Sequence, residues 1–239
     1  MSRVRPRITM MIPLWGLALC VLASGCGGGD EQRIQEVGPI KQSWLEKTQT
    51  QPGNILLLTL DTTRADRIGC YGYDLATTPY LDQLATEGVT FLHAISPVPI
   101  TLPSHATILT GLNPNEHGIR NNGTFVLGEE FVTITEVLAS HGFATGATLG
   151  AFPVSAQFGL AQGFEDYDDD FTLAHRETAW GWEERPADTV TDKALAWLEQ
   201  HRDERFFHWA HYFDPHAPYE APPEFRQKLR NGGAIPAIH

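Results

Sequence analysis

Residues 54–61 read Asn-Ile-Leu-Leu-Leu-Thr-Leu-Asp, an apolar run from Ile55 to Leu60 interrupted only by Thr59 and closed by a carboxylate. A run of this length without polar alternation is the pattern of a strand buried on both faces, and a parallel sheet is its natural host. Outward from it, Thr78 and Pro79 open a helix as N-cap and first helical residue, Leu81, Leu84 and Ala85 give its apolar stripe, and Gly88 stops it. Val89 to Ile95 then reads as a strand, and Thr101 to Thr110 as a helix ended by Gly111. Thr133 with Glu136 forms a capping box for a helix through Ser140, closed by Gly142. Phe143 to Leu149 is a small-residue strand. Asp188 caps another helix carrying Val190, Ala194, Leu195, Trp197 and Leu198, and Phe206 to Phe213 is an aromatic strand. Alternating β and α elements predict an α/β fold with a largely parallel sheet between helices.

Composition narrows the function. The chain has 239 residues, 42% hydrophobic and 10% aromatic, which is ordinary for a globular core and excludes disorder, collagen and coiled coil. Lys and Arg number 17 against 29 Asp and Glu, a net charge of −12. Arg3, Arg5 and Arg7 are the only charges in the first 25 residues, so the remainder is more acidic still. Such a surface repels nucleic acid and a polybasic membrane dock is excluded. The three cysteines, Cys20, Cys26 and Cys70, are too scattered for a disulfide framework or a cysteine zinc site. Cys70 reads as a small buried hydrophobe.

The N-terminus reads as an export signal over 1–25: a basic start, an apolar run from Ile8 to Leu22, then Ala23, Ser24, Gly25 and Cys26. The run is shorter than the roughly 20 residues a spanning helix needs. Small residues followed directly by Cys26 resemble the lipobox of bacterial lipoproteins, although Ala23 stands where Leu is commoner. That resemblance implies cleavage before Cys26, a lipid on its sulfur and a membrane-anchored protein in the periplasm or at the cell surface. Residues 26–51 form a polar tether, and 52–239 the folded body. Within it, Ala151 to Pro186 is the least patterned stretch, and Asp166, Asp168, Asp169 and Asp170 read as a solvated acidic loop because EF-hand spacing is absent.

Ligands of open parallel sheets bind beyond the carboxyl ends of the strands. The first strand delivers Asp61, Thr62, Thr63 and Arg64 there, and the last delivers Asp214, Pro215 and His216. A carboxylate and an imidazole at one edge suit a divalent cation, while Asp61 alone is equally a helix cap or turn residue. The start of the helix at Thr101 has the unpaired amides of an anion site. Its hydroxyl is either a cap or a nucleophile, the second requiring a base or metal to form the alkoxide.

Taken together, residues 54–61, the RADRIGCYGY of 64–73, the TLPSHATILTG of 101–111, the HGIRNNG of 117–123 and the HYFDPHAPY of 211–219 resemble the sulfatase family of the alkaline phosphatase superfamily. Five motifs in family order carry the resemblance. It implies a sulfatase-like sandwich in which 52–239 is the N-terminal portion of a catalytic domain. It aligns Asp61 with the first carboxylate metal ligand, and Thr62 stands where a second Asp is frequent. Thr101 occupies the position of the Cys or Ser that sulfatases oxidise to formylglycine, and His105 the position of a motif Arg. Threonine cannot yield that aldehyde, so the chemistry implied is a Thr101 alkoxide, with Thr101 also on the metal, attacking a phosphate or phosphonate ester in preference to a sulfate.

The resemblance further makes His216 the residue that contacts the substrate oxygens or assists the leaving group, and places His117 and Arg120 at polar edges of the substrate site. On their own residues these two read equally as a turn after Asn113, Pro114 and Asn115. His105 either stabilises the Thr101 oxygen or caps a helix turn, and His211 reads as a satisfied core histidine on the opposite face. The cofactor implied is a divalent ion, Ca, Mg, Mn or Zn. The partners are small-molecule, glycan or lipid sulfate or phosphate esters and a membrane reached through the N-terminal lipid, without nucleic acid. The family's later ligands, an Asp with Asn or His and a basic residue beyond, do not occur before His239, which predicts an inactive fragment. Two alternatives stand beside the hydrolase: a non-catalytic binding protein on the same fold, and a phospho-group transferase of the envelope.

Overall fold

A computed structural model describes residues 53–74, 78–171, 176–177, 183–219, 221, 223 and 225–226. The signal segment, the tether, Cys20 and Cys26 lie outside the described residues. Strand β1 (Ile55–Leu60) is followed by helix α1 (Pro79–Glu87), helix α2 (Thr101–Thr110), the short α3 (Pro114–His117) and α4 (Ile134–Ser140). Then come β2 (Ala144–Leu149), β3 (Asp166–Asp168), β4 (Arg176–Glu177), β5 (Glu183–Glu184), α5 (Ala187–Gln200) and β6 (Phe206–Tyr212). The main sheet runs β1-β6-β2-β3, with every neighbouring pair parallel. Strands β4 and β5 form a separate antiparallel pair.

The parity of β6 defines the layers. Phe207 and Trp209 join Leu102, Ala106 and Leu109 of α2, together with Phe143, Ala147 and Leu149, in the main core. Ala210 points the other way, onto Val190 and Ala194 of α5. Leu138 of α4 packs on the main core, so α2 and α4 cover one face of the sheet and α5 the other. Burial of this kind, at about 25 cal/mol per Å² of apolar area, is the main stabilising term. In β2 the small residues have a reason: a Cβ on Gly146 would stand 2.4 Å from the Trp197 indole, so the glycine lets α5 seat on the sheet.

Helix boundaries follow local chemistry. Thr133 and Glu136 make the capping box of α4, the Thr133 hydroxyl accepting the Glu136 amide at 3.2 Å. Gly111 ends α2 at φ 71, a left-handed angle that suits glycine. Helix α1 begins at Pro79 and ends at Gly88.

Four expectations are corrected. Val89 to Ile95 is not a strand: among the described residues no strand offers it a ladder, and the Phe91 carbonyl accepts from the Tyr71 hydroxyl at 3.1 Å instead. Asp188 is not the cap of α5, because Pro186, with φ −69 and ψ 157, takes the N-cap place and leaves Asp188 in the first turn. The acidic run is not simply a solvated loop. Asp166–Asp168 pairs with β2, and Asp168 binds the buried Arg185 at 2.9 Å and Lys193 at 2.8 Å. Finally, among the described residues β1 is an edge strand, with Leu57 turned to the core and Ile55, Leu56, Leu58 and Leu60 exposed.

Candidate active site

The carboxyl ends of β1 and β6 lie side by side because the two strands pair in parallel from Ile55↔Phe207 to Leu60↔Tyr212. The ladder runs one step further, the Asp61 amide donating to the Tyr212 carbonyl at 2.9 Å. Thr62 follows at φ 52, an unusual angle for a β-branched residue, and its hydroxyl donates to the Pro215 carbonyl at 3.0 Å. The residues after both strands are thereby tied together, and the Asp61 carboxylate is left buried at their junction.

Thr101 is the first residue of α2 and is buried against this junction. Its hydroxyl stands beside the Asp61 carboxylate and helps to lower that group's pKa. Burial raises the Asp61 pKa above the ordinary carboxylate range, opposed by His105, the Thr101 hydroxyl and His216 in turn. The free amides of the α2 start are partly claimed already: Leu102 donates to Asn122 Oδ1 at 2.8 Å. His105, one turn on, donates from Nδ1 to the Thr101 carbonyl at 2.8 Å, since a carbonyl can only accept. Its Nε2 is therefore a buried lone pair without a hydrogen-bond partner. Burial also depresses the His105 pKa and keeps the ring neutral.

His216 is half-buried, its ring stacked on Phe213 at 4.3 Å between centroids and its Nδ1 donating to the Ala217 carbonyl at 2.7 Å. That leaves Nε2 as the free nitrogen. His211 is not remote from the site. The alternation that set it on the opposite face was counted past Tyr212, where β6 ends and the chain turns. Its ring is fully buried, lies edge-on to His105 at 4.7 Å, and brings Nε2 to 3.7 Å from Asp61 Oδ2. Burial, reinforced by His105, holds its pKa well below the usual range. The signal for this was present in the register, because His211 pairs with Thr59, two residues before Asp61 on one face of β1.

The remaining candidates separate. His117 is buried as a local clamp: Nδ1 accepts the Ile119 amide at 3.1 Å, leaving Nε2 to donate to the Thr107 hydroxyl at 3.1 Å. Desolvation lowers its pKa. Arg120 is exposed. Cys70 is half-buried and free, short of the full burial expected. Sequence reasoning missed Asn122, which holds the Leu102 amide, and Thr59, whose hydroxyl bonds His211 Nδ1 at 2.8 Å and Trp209 Nε1 at 2.9 Å.

The fit of a divalent ion can be judged on the donors. Asp61 and Thr101 offer oxygens and the bare Nε2 of His105 offers a nitrogen, which suits one side of a coordination sphere. Among the described residues no group of three or more His, Cys, Asp or Glu is gathered for a metal, so the other side needs further ligands.

A parallel sheet between helices, with a hydroxyl and a carboxylate meeting at the strands' carboxyl edge, defines a mixed α/β protein. The chain belongs to the sulfatase family, whose model, described as Sulfatase, matches residues 53–234. Over 128 residues it is 38% identical to human arylsulfatase A, covering 49% of this chain and 25% of that protein. It is 28% identical over 193 residues to the N-acetylglucosamine-6-O-sulfatase of Bacteroides thetaiotaomicron, covering 72% and 32%. Among solved structures it resembles BT4656 in complex with its substrate D-glucosamine-2-N,6-O-disulfate, with TM-score 0.63, 25% identity, and coverage of 76% of this chain and 38% of that one. The phosphonate monoester hydrolase of Agrobacterium radiobacter shares the fold at TM-score 0.58 and 19% identity, over 74% and 44%. The chain thus spans 25% and 32% of the lengths of these two curated relatives. Sulfatases typically use a divalent metal ion.

Proposed function

We propose that the chain serves a metal-dependent hydrolase of sulfate or phosphate and phosphonate esters that acts outside the cytoplasm, with Thr101 as nucleophile. The observation that carries this reading is Thr101, buried at the start of α2 with its hydroxyl beside the buried Asp61 carboxylate that follows β1. A hydroxyl in that position has a carboxylate at hand for its proton, and the helix start favours an anion beside it. Thr101 Oγ attacks the phosphorus or sulfur as its proton passes to Asp61, the bond to the alcohol oxygen breaks, and the departing oxygen takes up a proton. A water then cleaves the ester left on Thr101, whose oxygen takes its proton back from Asp61. His216, whose Nδ1 donates to the Ala217 carbonyl, supplies the departing oxygen's proton from Nε2 when its ring carries both protons, and takes one back from the water of the second step. Asp61 orients the Thr101 proton, and His105 lines the Thr101 side of the site.

Asp61, Thr101 and His105 would hold one side of the ion, which when bound supplies electrophilic stabilisation and makes the hydroxyl more acidic. His117, by its bonds, supports the turn after α2, and Arg120 is the exposed cation available to a substrate anion. The sulfated-sugar relatives favour a glycan ester as substrate, and the threonine favours phosphate or phosphonate. Cys26 bearing a lipid would anchor the body at 52–239 through the tether 26–51, after removal of 1–25.

The test is Thr101→Ala in the native full-length protein, assayed on aryl sulfate, aryl phosphate and phosphonate monoesters. Loss of at least about a thousandfold in kcat/KM is expected. Full retention removes Thr101 from the chemistry. For the anchor, Cys26→Ser should move the protein from the membrane to the soluble fraction.

A further inference from the structure

Behind Asp61 runs a line of three side chains, the buried Trp209 and His211 joined through the half-buried Thr59, that the reaction does not use directly. The Trp209 indole Nε1 lies 2.9 Å from Thr59 Oγ1, and Thr59 Oγ1 lies 2.8 Å from His211 Nδ1. His211 Nε2 in turn lies 3.7 Å from Asp61 Oδ2. The sheet builds this line, since Thr59 and His211 are register partners and Trp209 sits two residues before His211 on the same face of β6.

The direction of the line follows from what each group can do. An indole N–H only donates, so Thr59 Oγ1 accepts it. Thr59 Oγ1 has a second lone pair and could accept from His211 too, but its own proton then lacks an acceptor among the described residues and a bare His211 Nε2 faces a carboxylate. The favourable arrangement has Thr59 donating to Nδ1. A neutral His211 consequently carries its proton on Nε2, the nitrogen that faces Asp61 and has no hydrogen-bond partner. Full burial of the ring supports the neutral form. His105 shows the opposite arrangement, with its proton on Nδ1 for the Thr101 carbonyl and a bare Nε2. Two adjoining imidazoles are thus locked in different tautomers by different partners.

We infer that His211 is a positioning residue for Asp61, held as its Nε2–H tautomer by the Trp209–Thr59 hydrogen-bond line so that one N–H dipole is aimed at the carboxylate. At 3.7 Å the contact is longer than a hydrogen bond and acts as an oriented dipole on a buried anion, where the low dielectric lets it count. The consequence is a fixed carboxylate plane for Thr101 to meet. The kinetic part of this inference rests on Thr101 and Asp61 being the reacting edge. The tautomer and the carboxylate orientation do not.

The experiment uses 15N,13C-labelled protein in three forms: unmodified, Thr59→Val and Thr59→Ser. Long-range 1H–15N spectra should show His211 with a protonated Nε2 and an unprotonated Nδ1, and His105 with the reverse. Thr59→Val keeps the shape of the side chain and removes the hydroxyl. It should abolish the single-tautomer pattern of His211 and move the Asp61 carboxyl 13C resonance, while Thr59→Ser preserves both. A protonated Nδ1 on His211 in the unmodified protein overturns the inference, as does an Asp61 resonance unmoved in a folded Thr59→Val variant. In the active full-length protein Thr59→Val should lower kcat about tenfold with KM within about twofold, the split expected when an aligned group is released but substrate binding is kept. Unchanged kcat together with a lost tautomer overturns the positioning role. Absence of turnover in every form, with the spectra as expected, instead counts against the hydrolase reading and leaves the hydrogen-bond line standing.

Discussion

Strands β6 and β1 are neighbours in one sheet and similarly apolar in sequence, yet they live in different surroundings. In β6 every residue from Phe207 to His211 is buried, with α2 on one face and α5 on the other. In β1 Leu57 alone joins the main core, while Leu56 and Leu58 are each 48% exposed. Hydrophobic content records what a strand is suited to bury, and tertiary context decides how much is covered. The Asp61–Thr101 contact sits on the seam between these two conditions, which gives it a rigid wall on the β6 side and an open one on the β1 side.

The contrast can be tested in free energy, starting with the largest effect. Leu149→Ala, on the covered side and fully buried, should cost about 2–5 kcal/mol in urea unfolding. Gly146→Ala drives a methyl into Trp197 and should cost about 1–3 kcal/mol, with Trp197→Phe relieving part of it.

A smaller effect is expected from pH. His208, buried on the α5 face beside Trp197, has its pKa lowered to about 4, chiefly by burial and then by His201. The unfolded chain takes up this proton near 6.5 and the folded one only near 4. Stability is therefore complete above 6.5 and is lost as pH falls toward 4. The slope from this group is at most about 1.4 kcal/mol per pH unit. His208→Gln should flatten urea midpoints measured between those limits; an unchanged slope would show that the ring is already wet.

The smallest effect belongs to the open side, where Leu58→Ser should stay within about 0.5 kcal/mol. A cost equal to that of Leu149→Ala would erase the distinction between the strands.

Much of this was legible beforehand because it is local. The Thr133–Glu136 box, the Thr101–Thr110 helix with Gly111 behind it, and the strands at 144–149 and 206–212 all follow from spacing within a dozen residues. The motifs at Asp61, Thr101 and His216 likewise lie near one another at one sheet edge. What escaped depends on distant partners. Val89 to Ile95 has strand composition without a ladder to join, and Asp168 was read as solvated because Arg185 and Lys193 reach it across the chain. His211 was misplaced because alternation holds only as far as the strand does.

The pairing of β1 with β6 carries a consequence in time. Thr59 and His211, which meet behind Asp61, are 152 positions apart. A site closed by so remote a pair cannot begin to assemble until nearly all of the intervening chain has been synthesised, and contacts of this sequence separation slow folding. During that interval Leu56, Leu57 and Leu58 stand unpaired, which exposes the nascent chain to aggregation and gives a holding chaperone its natural target. For a protein expected to leave the cytoplasm, late closure has a use: it keeps the chain threadable until it has crossed.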